Sequence, residues 1–389
     1  MRVAYINTVA GFNATGRLCE QLACANDVNG IIYYGRKMYD GNIQAMKFNN
    51  IIGNGIHVIS TFLFDNHAYV NQYATKKLIR LLEEFKPDII HLHNLHGYYL
   101  HVGLLFDYIR SNNSKVVWTF HDCWPITGHC AHFDGVKCDK WKTECCNCPI
   151  LGNYPPTFNG RNTRYNYFRK KETFSGVRHM VLVSPSKWLV MQLKQSFLSS
   201  YPIEVINNGI DLNRFKYLNY KCSGCLELLA VASVWTKMKG LDDLIQLSHI
   251  LPNTMHLTVV GVTTKQSKLF PATVTCLQRT NNQEELIELY NKSDYFLNFT
   301  YEDTFPTVNI EALACGLPII TYNTGGSPEI IDDKCGFVIE VGCFKEALSI
   351  LEKGRILNPK DCIDRAMIFS QKNMINAYLH LYKKIMGNG

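Results

Sequence analysis

The residues best able to do chemistry in this chain gather in Tyr301–Pro318, YEDTFPTVNIEALACGLP. An apolar run, YFLNFT, leads into an elbow carrying Glu302 and Asp303; Pro306 marks a helix start, Glu311 falls on that helix and Gly316 at its end. A carboxylate on such a helix can take two ribose hydroxyls, and Asp303 with the backbone amides after it can hold a sugar and its phosphates. Upstream, SVWTKMKG brings Lys237 and Lys239 to a second loop, and WTFHD sets His121 at a strand end. Taken singly these are ordinary: a lysine before a helix is usually a solvated surface charge, and a strand-end histidine is as readily a hydrogen-bonded core residue.

The elements that must position them alternate. Short β-branched runs (RVAYINT, IIYYG, HVIST, DIIHLH, KVVWTF, HMVLVSPS, IEVINNG) are separated by helical patterns near Thr15–Cys24, Val70–Phe85 and Lys187–Leu198. The runs are apolar on both faces, which predicts a parallel sheet covered on both sides. After the polar stretch Asp211–Cys225 the alternation restarts: LELLAVAS, a helix from Gly240, MHLTVVG, TVTCL, a helix near Glu284–Asn291, YFLNF, a helix near Thr307–Cys315, LPIITY and GFVIE. The expected architecture is α/β: two Rossmann-like doubly wound domains over 1–205 and 206–370, and a C-terminal helix over 371–389 packing back on the first. Ligands of such sheets bind outside the strand carboxyl ends, so the expected site is a cleft between the domains. GFNATGR (Gly11–Arg17) opens the first helix as a glycine-flanked turn but matches neither the dinucleotide nor the P-loop fingerprint.

Residues 121–160, HDCWPITGHCAHFDGVKCDKWKTECCNCPILGNYPP and its flanks, break the pattern with Cys, His, Trp and Pro. Cys130, Cys138, Cys145 and Cys148, ending in Cys-x-x-Cys-Pro, suit a closed tetrahedral structural zinc in an insertion without its own core; His129, His132, Cys123 and Cys146 are spare donors. Unligated thiols, or disulfides in an oxidising compartment, are the equal alternative. Cys222 and Cys225 form a lone pair in the linker that points to nothing specific. His91, His93 and His96 resemble a metal cluster, but strand alternation gives them a structural reading.

Composition narrows the classes. The chain has 389 residues, 47% hydrophobic and 19% charged, enough for about two domains. No apolar run is long enough for a membrane span, and MRVAYINTVAG lacks the build of a secretory signal, so a cytoplasmic protein is expected. Fifteen cysteines, an odd number, favour reduced thiols over a disulfide framework. The net charge of +7 sits in the first half: residues 1–205 carry 22 basic and 14 acidic side chains, residues 206–389 carry 18 and 19. Arg161, Arg164, Arg169, Lys170, Lys171 and Arg178 follow the insertion and could meet anionic lipid.

Asp303 and Glu311, with seven residues between them in D-TFPTVNI-E-ALACGLPII, resemble the Glu-seven-Glu motif of the retaining nucleotide-sugar glycosyltransferases of family 4 (group 1), which have the GT-B fold. KPDIIHLHN, WTFHD, VSPSKWL, INNGID, KGLDDLI and GGSPEII extend the likeness along almost the whole chain, and the insertion resembles the colanic-acid branch of bacterial surface-polysaccharide enzymes. The resemblance implies that Glu311 binds the donor ribose. Asp303 with the backbone of Phe305, Pro306, Thr307 and Val308 would hold sugar and pyrophosphate, Lys239 would neutralise the diphosphate, His121 would contact the transferred sugar and Gly16 would approach the pyrophosphate. Two positions depart from the family: Asp303 replaces the first glutamate, leaving open whether it or Glu302 touches the sugar, and Val234 replaces an arginine, a role Lys237 could take.

In that family the departing phosphate accepts the acceptor proton on the same face, so no dedicated base is named. Fixed cations and amide dipoles at the diphosphate lower the barrier of an oxocarbenium-like transition state. The sequence has no Asp-x-Asp, so no catalytic metal is expected. The implied partners are a UDP- or GDP-sugar donor and a saccharide or lipid-linked saccharide acceptor of exopolysaccharide, capsule or lipopolysaccharide synthesis, met in the cytoplasm or on the inner face of the membrane. The competing readings are a zinc-containing nucleic-acid binder, against which the scattered basic residues and the acidic elbow speak, and a GT-B relative acting as a phosphorylase or epimerase.

Overall fold

The computed structural model describes residues 1–220 and 224–387, so Cys222 lies outside the described residues. The chain divides into two compact units, residues 1–206 with 375–389, and residues 207–374.

The first unit runs β1 (Arg2–Asn7), α1 (Asn13–Ala23), β2 (Asn29–Tyr34), β3 (Ala45–Lys47), α2 (Ile51–Phe64), α3 (Gln72–Phe85), β4 (Ile89–Leu92), α4 (Val102–Ser111), β5 (Val116–Thr119), α5 (Thr163–Phe174), β6 (Met180–Ser184), α6 (Lys187–Lys194) and β7 (Ile203–Val205). Its seven strands are parallel in the order β3-β2-β1-β4-β5-β6-β7. Alternation along the strands fills both faces. Ala4, Ile6, Ile90, Leu92 and Trp118 pack with Leu78, Leu82, Leu105 and Phe106 of α3 and α4. Tyr5, His91 and Thr119 point the other way.

The second unit continues with β8 (Leu226–Val231), α7 (Leu241–Ser248), β9 (Met255–Val260), α8 (Thr264–Ser267), β10 (Thr275–Leu277), α9 (Gln283–Lys292), β11 (Tyr295–Asn298), α10 (Thr307–Ala314), β12 (Ile319–Tyr322), β13 (Gly336–Ile339), α11 (Phe344–Leu351) and α12 (Pro359–Ile368). The six strands are parallel in the order β10-β9-β8-β11-β12-β13. Two buried clusters lie on its two faces, one around Leu229, Phe296 and Ile319 with Ile310 and Leu313 of α10, the other around Leu228, Leu297 and Ile320 with Leu244 and Leu247 of α7. The last helix, α13 (Gln371–Gly387), has its residues from Ile375 onward in the first unit. There Tyr382 Oη lies 2.6 Å from His91 Nδ1 and Tyr378 Oη 2.9 Å from Thr119 Oγ1. These hydroxyls satisfy polar groups on the sheet face opposite α3 and α4.

One expectation needs correction. HVIST is not a strand: His57–Thr61 lie inside α2, which Asn50 caps by accepting from the Gly53 amide at 2.7 Å. The insertion between β5 and α5 holds only short 3-10 turns among the described residues, and its Trp124, Ile126, Phe133 and Trp141 are buried in the core of the first unit.

Candidate active site

In each sheet the crossovers step outward from a central pair of strands, β1 and β4 in the first unit and β8 and β11 in the second. Loops leaving the carboxyl ends of such a pair diverge and open a crevice. In the second unit, the loop after β8 carries Lys237 and Lys239, and the loop after β11 carries Glu302, Asp303 and the start of α10.

These loops are tied together by polar contacts. Lys239 Nζ donates to Asp303 Oδ2 at 2.7 Å and approaches the Glu302 carbonyl at 3.4 Å. Thr300 Oγ1 and the Tyr301 amide both donate to the Met238 carbonyl, at 3.3 and 2.8 Å. Below them, Asp243 of α7, buried, accepts from Tyr301 Oη at 2.7 Å and Tyr322 Oη at 2.6 Å. Burial and Asp243 push the Tyr301 phenol up to about 12, so it stays a donor.

Asp303 is fixed from three sides. Its Oδ1 accepts from the Phe305 amide at 3.1 Å, its Oδ2 meets Lys239, and its carbonyl accepts from the Gly326 amide at 3.0 Å. Gly325, at φ +55°, makes the last contact possible, because a Cβ there would lie 1.8 Å from the Asp303 carbonyl oxygen. Gly240, at φ +79°, likewise lets the Lys239 loop pass the Phe299 carbonyl, 2.2 Å from where a Cβ would stand.

Of the backbone expected to face a diphosphate, Phe305 has given its amide to Asp303 and Pro306 has none. The amides of Thr307 and Val308, in the first turn of α10, precede any intrahelical acceptor. Glu311, one turn further, accepts from Tyr290 Oη at 3.2 Å; burial and that carboxylate drive the Tyr290 phenol well above its ordinary range. Glu302 enters through its backbone, its carbonyl accepting from Thr300 Oγ1 at 2.9 Å. Lys237 and Val234 are exposed. The structure thus joins Lys239 to Asp303 and sets α10 beside them. The braces Asp243, Tyr290 and Tyr301 carry no local sequence signal, because each acts across the fold.

In the first unit, His121 follows β5, and its Nε2 lies 3.0 Å from His93 Nδ1 with the rings stacked 17° apart. Burial holds the His121 imidazole down at about 4, although the nearby Asp122 carboxylate works against it. His96 Nε2 lies 2.6 Å from Asp122 Oδ2; burial alone would raise that carboxyl, yet His96 and the Trp124 amide hold it at about 2. Gly16 sits in the first turn of α1, its amide donating to Phe12 at 3.1 Å. A Cβ on Gly16 would come within 3.2 Å of Val9 and Gly11.

Cys130, Cys138, Cys145 and Cys148 line one cavity with His129 and Cys146. The Gly128 amide points at Cys145 Sγ at 3.1 Å. Lys170, fully buried nearby, donates to the carbonyls of Trp124 and Thr127 at 2.8 and 2.9 Å, and burial brings its ammonium down to about 7. The donor types fit zinc, but among the described residues no three His, Cys, Asp or Glu side chains stand close enough together to hold an ion as placed.

Two family models match the chain, Glycosyl transferases group 1 over residues 226–366 and Glycosyltransferase Family 4 over residues 34–214. The chain belongs to the group 1, family 4 glycosyltransferases. Among curated relatives, WcaC of Escherichia coli K12, named for colanic acid biosynthesis, is 28% identical over 269 residues, 64% of this chain and 63% of that protein. The Staphylococcus aureus capsular polysaccharide biosynthesis glycosyltransferase CapM is 26% identical over 167 residues, 40% of this chain and 44% of that protein. The chain therefore spans less than two thirds of the length of either relative.

Solved structures of the GT-B fold superpose over the full length. Sucrose-phosphate synthase from Thermosynechococcus elongatus gives a TM-score of 0.72 at 13% identity, covering 100% of both chains. Anabaena Alr3699/HepE in complex with UDP gives 0.66 at 14% identity, covering 99% of this chain and 100% of that one. At these identities the likeness shows the GT-B fold. This group 1 member carries its Lys239–Asp303 pair at the switch point of the second of its two sheets.

Proposed function

We propose that this glycosyltransferase moves a sugar from a nucleoside-diphosphate donor to a saccharide or lipid-linked saccharide acceptor of a bacterial surface polysaccharide, with retention of configuration. The observation that carries the reading is the convergence of Lys239, Asp303 and the α10 N-terminus, with Glu311 on that helix, at one switch point. WcaC and CapM, named for colanic acid and capsular polysaccharide, support the acceptor class. Anabaena HepE, solved with UDP-glucose, supports the donor class.

The residues have separable jobs. Glu311, steadied by Tyr290, takes the ribose hydroxyls. Lys239 and the Thr307 and Val308 amides meet the diphosphate, whose negative charge grows as the sugar–phosphate bond breaks. Asp303 holds Lys239 in place and offers its carboxylate edge to sugar hydroxyls; Glu302 and Lys237 belong to the same loops, and Lys237 supplies the charge that Val234 lacks. His121 and Gly16 of the first unit are assigned the transferred sugar and the pyrophosphate. At neutral pH His121 is uncharged and serves as a hydrogen-bonding group rather than a cation. No residue is assigned as base, because the departing phosphate oxygen accepts the acceptor proton, and no step calls on a metal ion.

A structural zinc is assigned to Cys130, Cys138, Cys145 and Cys148. Binding would draw the four sulfurs together, and Lys170 beside Cys130 and Cys145 would hold its proton more firmly there, because four thiolates around Zn2+ leave net negative charge.

The deciding experiment is thermal denaturation with UDP, GDP and ADP, run beside Glu311→Ala. A ligand that binds only the folded state at a hundred times its Kd adds about 2.7 kcal/mol. One nucleotide should raise the midpoint in the parent and not in the variant; no rise with any of the three at millimolar concentration overturns the reading. The anomeric configuration of the product, read by NMR, tests retention.

A further inference from the structure

Helix α2 is turned inside out. Eight of its fourteen residues are exposed large apolar side chains, Ile51 at 83% and Ile59 at 61% among them, while its two buried residues are His57 and Thr61. It contains no Asp, Glu, Lys or Arg. Phe158 extends the surface, 63% exposed, its ring edge-on to Phe62 at 5.0 Å. Folded proteins in water seldom leave so continuous an apolar surface uncovered, and one that they do leave marks a place of contact.

The last carbonyls of the helix beneath this surface are already satisfied. The Phe62 carbonyl accepts from Thr157 Oγ1 at 3.0 Å, Leu63 from Asn159 Nδ2 at 3.3 Å, Phe64 from Asn162 Nδ2 at 2.6 Å, and Asp65 from Asn166 Nδ2. A helix end in water needs no such provision; one pressed into hydrocarbon does. The same bonds seat a cationic segment against the helix. Residues 151–178 hold six basic side chains and one acidic one. Arg161 adjoins Asn162, and along α5 the exposed Arg164, Phe168 and Lys171 fall at i, i+4 and i+7 on one face, Arg164 paired with Glu144 at 2.9 Å.

We propose that α2 and Phe158 form a membrane-docking surface that lies in the interface of a bilayer rich in anionic headgroups, with Arg161, Arg164 and Lys171 on the headgroup phosphates. The occupant is lipid because an uncharged apolar helix face flanked by exposed Arg161, Arg164 and Lys171 has the composition of a helix lying in an anionic membrane interface. The flanking positive charge matches anionic headgroups. The helix is about 21 Å long, too short for a hydrocarbon core of about 30 Å, so it lies along the surface. Among the described residues no helix is long and apolar enough to cross a membrane. The proposal stands on this surface alone, and lipid vesicles test it without donor or acceptor.

The test is sedimentation of the full chain with phosphatidylcholine vesicles and with vesicles carrying phosphatidylglycerol. The parent should sediment with the anionic vesicles. Ile52→Ser/Ile59→Ser/Phe62→Ser should lose about tenfold or more in partitioning, and Arg161→Gln/Lys171→Gln should lose about tenfold on anionic vesicles only. In a separate Phe62→Trp variant, emission should shift to the blue on anionic vesicles and be quenched by brominated lipid. Parent protein remaining in the supernatant, unchanged partitioning of the serine variant, or emission of the Phe62→Trp variant that brominated lipid leaves unquenched overturns the proposal. So does a parent dimer by light scattering that the serine variant turns into a monomer, since the surface would then join two copies of the chain.

Discussion

Lys239 Nζ stands 2.7 Å from Asp303 Oδ2, so a cation leaving the first strand of the second unit is held by a carboxylate leaving its fourth. The pair fixes the lysine before any diphosphate arrives and limits the side-chain entropy lost on binding. Lys239→Ala should lower transfer by about 10²–10³-fold, the size of effect found when one preorganised charge-stabilising donor is removed. Its melting point should hardly move, because a partly exposed pair adds about 1 kcal/mol or less to stability. Steady-state kinetics beside a thermal melt check both halves.

Tyr290 acts through Glu311 and should reveal itself in binding. Tyr290→Phe removes the 3.2 Å bond to Glu311 Oε2 while keeping the buried ring. The donor KM should rise about tenfold or more with kcat unchanged, since a hydrogen bond to a charged carboxylate contributes about 1.5–3 kcal/mol. A fall in kcat at constant KM would assign Tyr290 a different part.

Gly325→Ala should damage the site from behind. Its φ of +55° and the Asp303 carbonyl, 1.8 Å from an added Cβ, force either the loop or Asp303 to move. The conformational strain alone costs about 1 kcal/mol or more, and activity should fall by more than the loss of stability explains. Donor titrations compared with melting curves separate the two effects.

Acid should unfold the first unit early. Burial holds His57 at about 3 and His121 at about 4, and His67, His91 and His93 well below their ordinary value near 6.5. A histidine whose folded pKa is depressed takes its proton more readily when unfolded, so stability falls as pH drops from about 6.5 toward the folded value. Each buried histidine can contribute up to about 1.4 kcal/mol per pH unit in that window. Urea melts at pH 7.5 and 5 should show the loss, and equal midpoints at the two would contradict it.

Elemental analysis of protein purified without chelator should find one zinc per chain, and Cys148→Ser should lower that content and the melting point together. A chain free of zinc whose thiols react freely with Ellman's reagent would leave the cavity as packed thiols.

The α10 region was legible because its information is local: a strand, an acidic elbow, Pro306 and Glu311 follow one another within a few residues. The brace Asp243 forms with Tyr301 and Tyr322 spans 58 and 79 residues and leaves no trace in spacing. Helix α2 misled the reading for a different reason. Its buried positions are His57 and Thr61 and its exposed ones are Ile and Phe, so the usual polarity of an amphipathic helix is reversed and HVIST reads as a strand. The insertion hid its packing similarly, since aromatic residues between cysteines and prolines show no period, yet Trp124 and Trp141 are buried in the core.

The first unit takes up the chain a second time from Ile375, where Tyr378 and Tyr382 reach the buried sheet face at Thr119 and His91. On the ribosome, these two tyrosines emerge only after the whole second unit has been made. Until then the face carrying Tyr5 and His91 lacks that cover, and the first unit is short of its closing helix when the residues of the second are all made. Synthesis therefore completes the second unit before the first, and late truncations should harm the beginning of the molecule more than its middle.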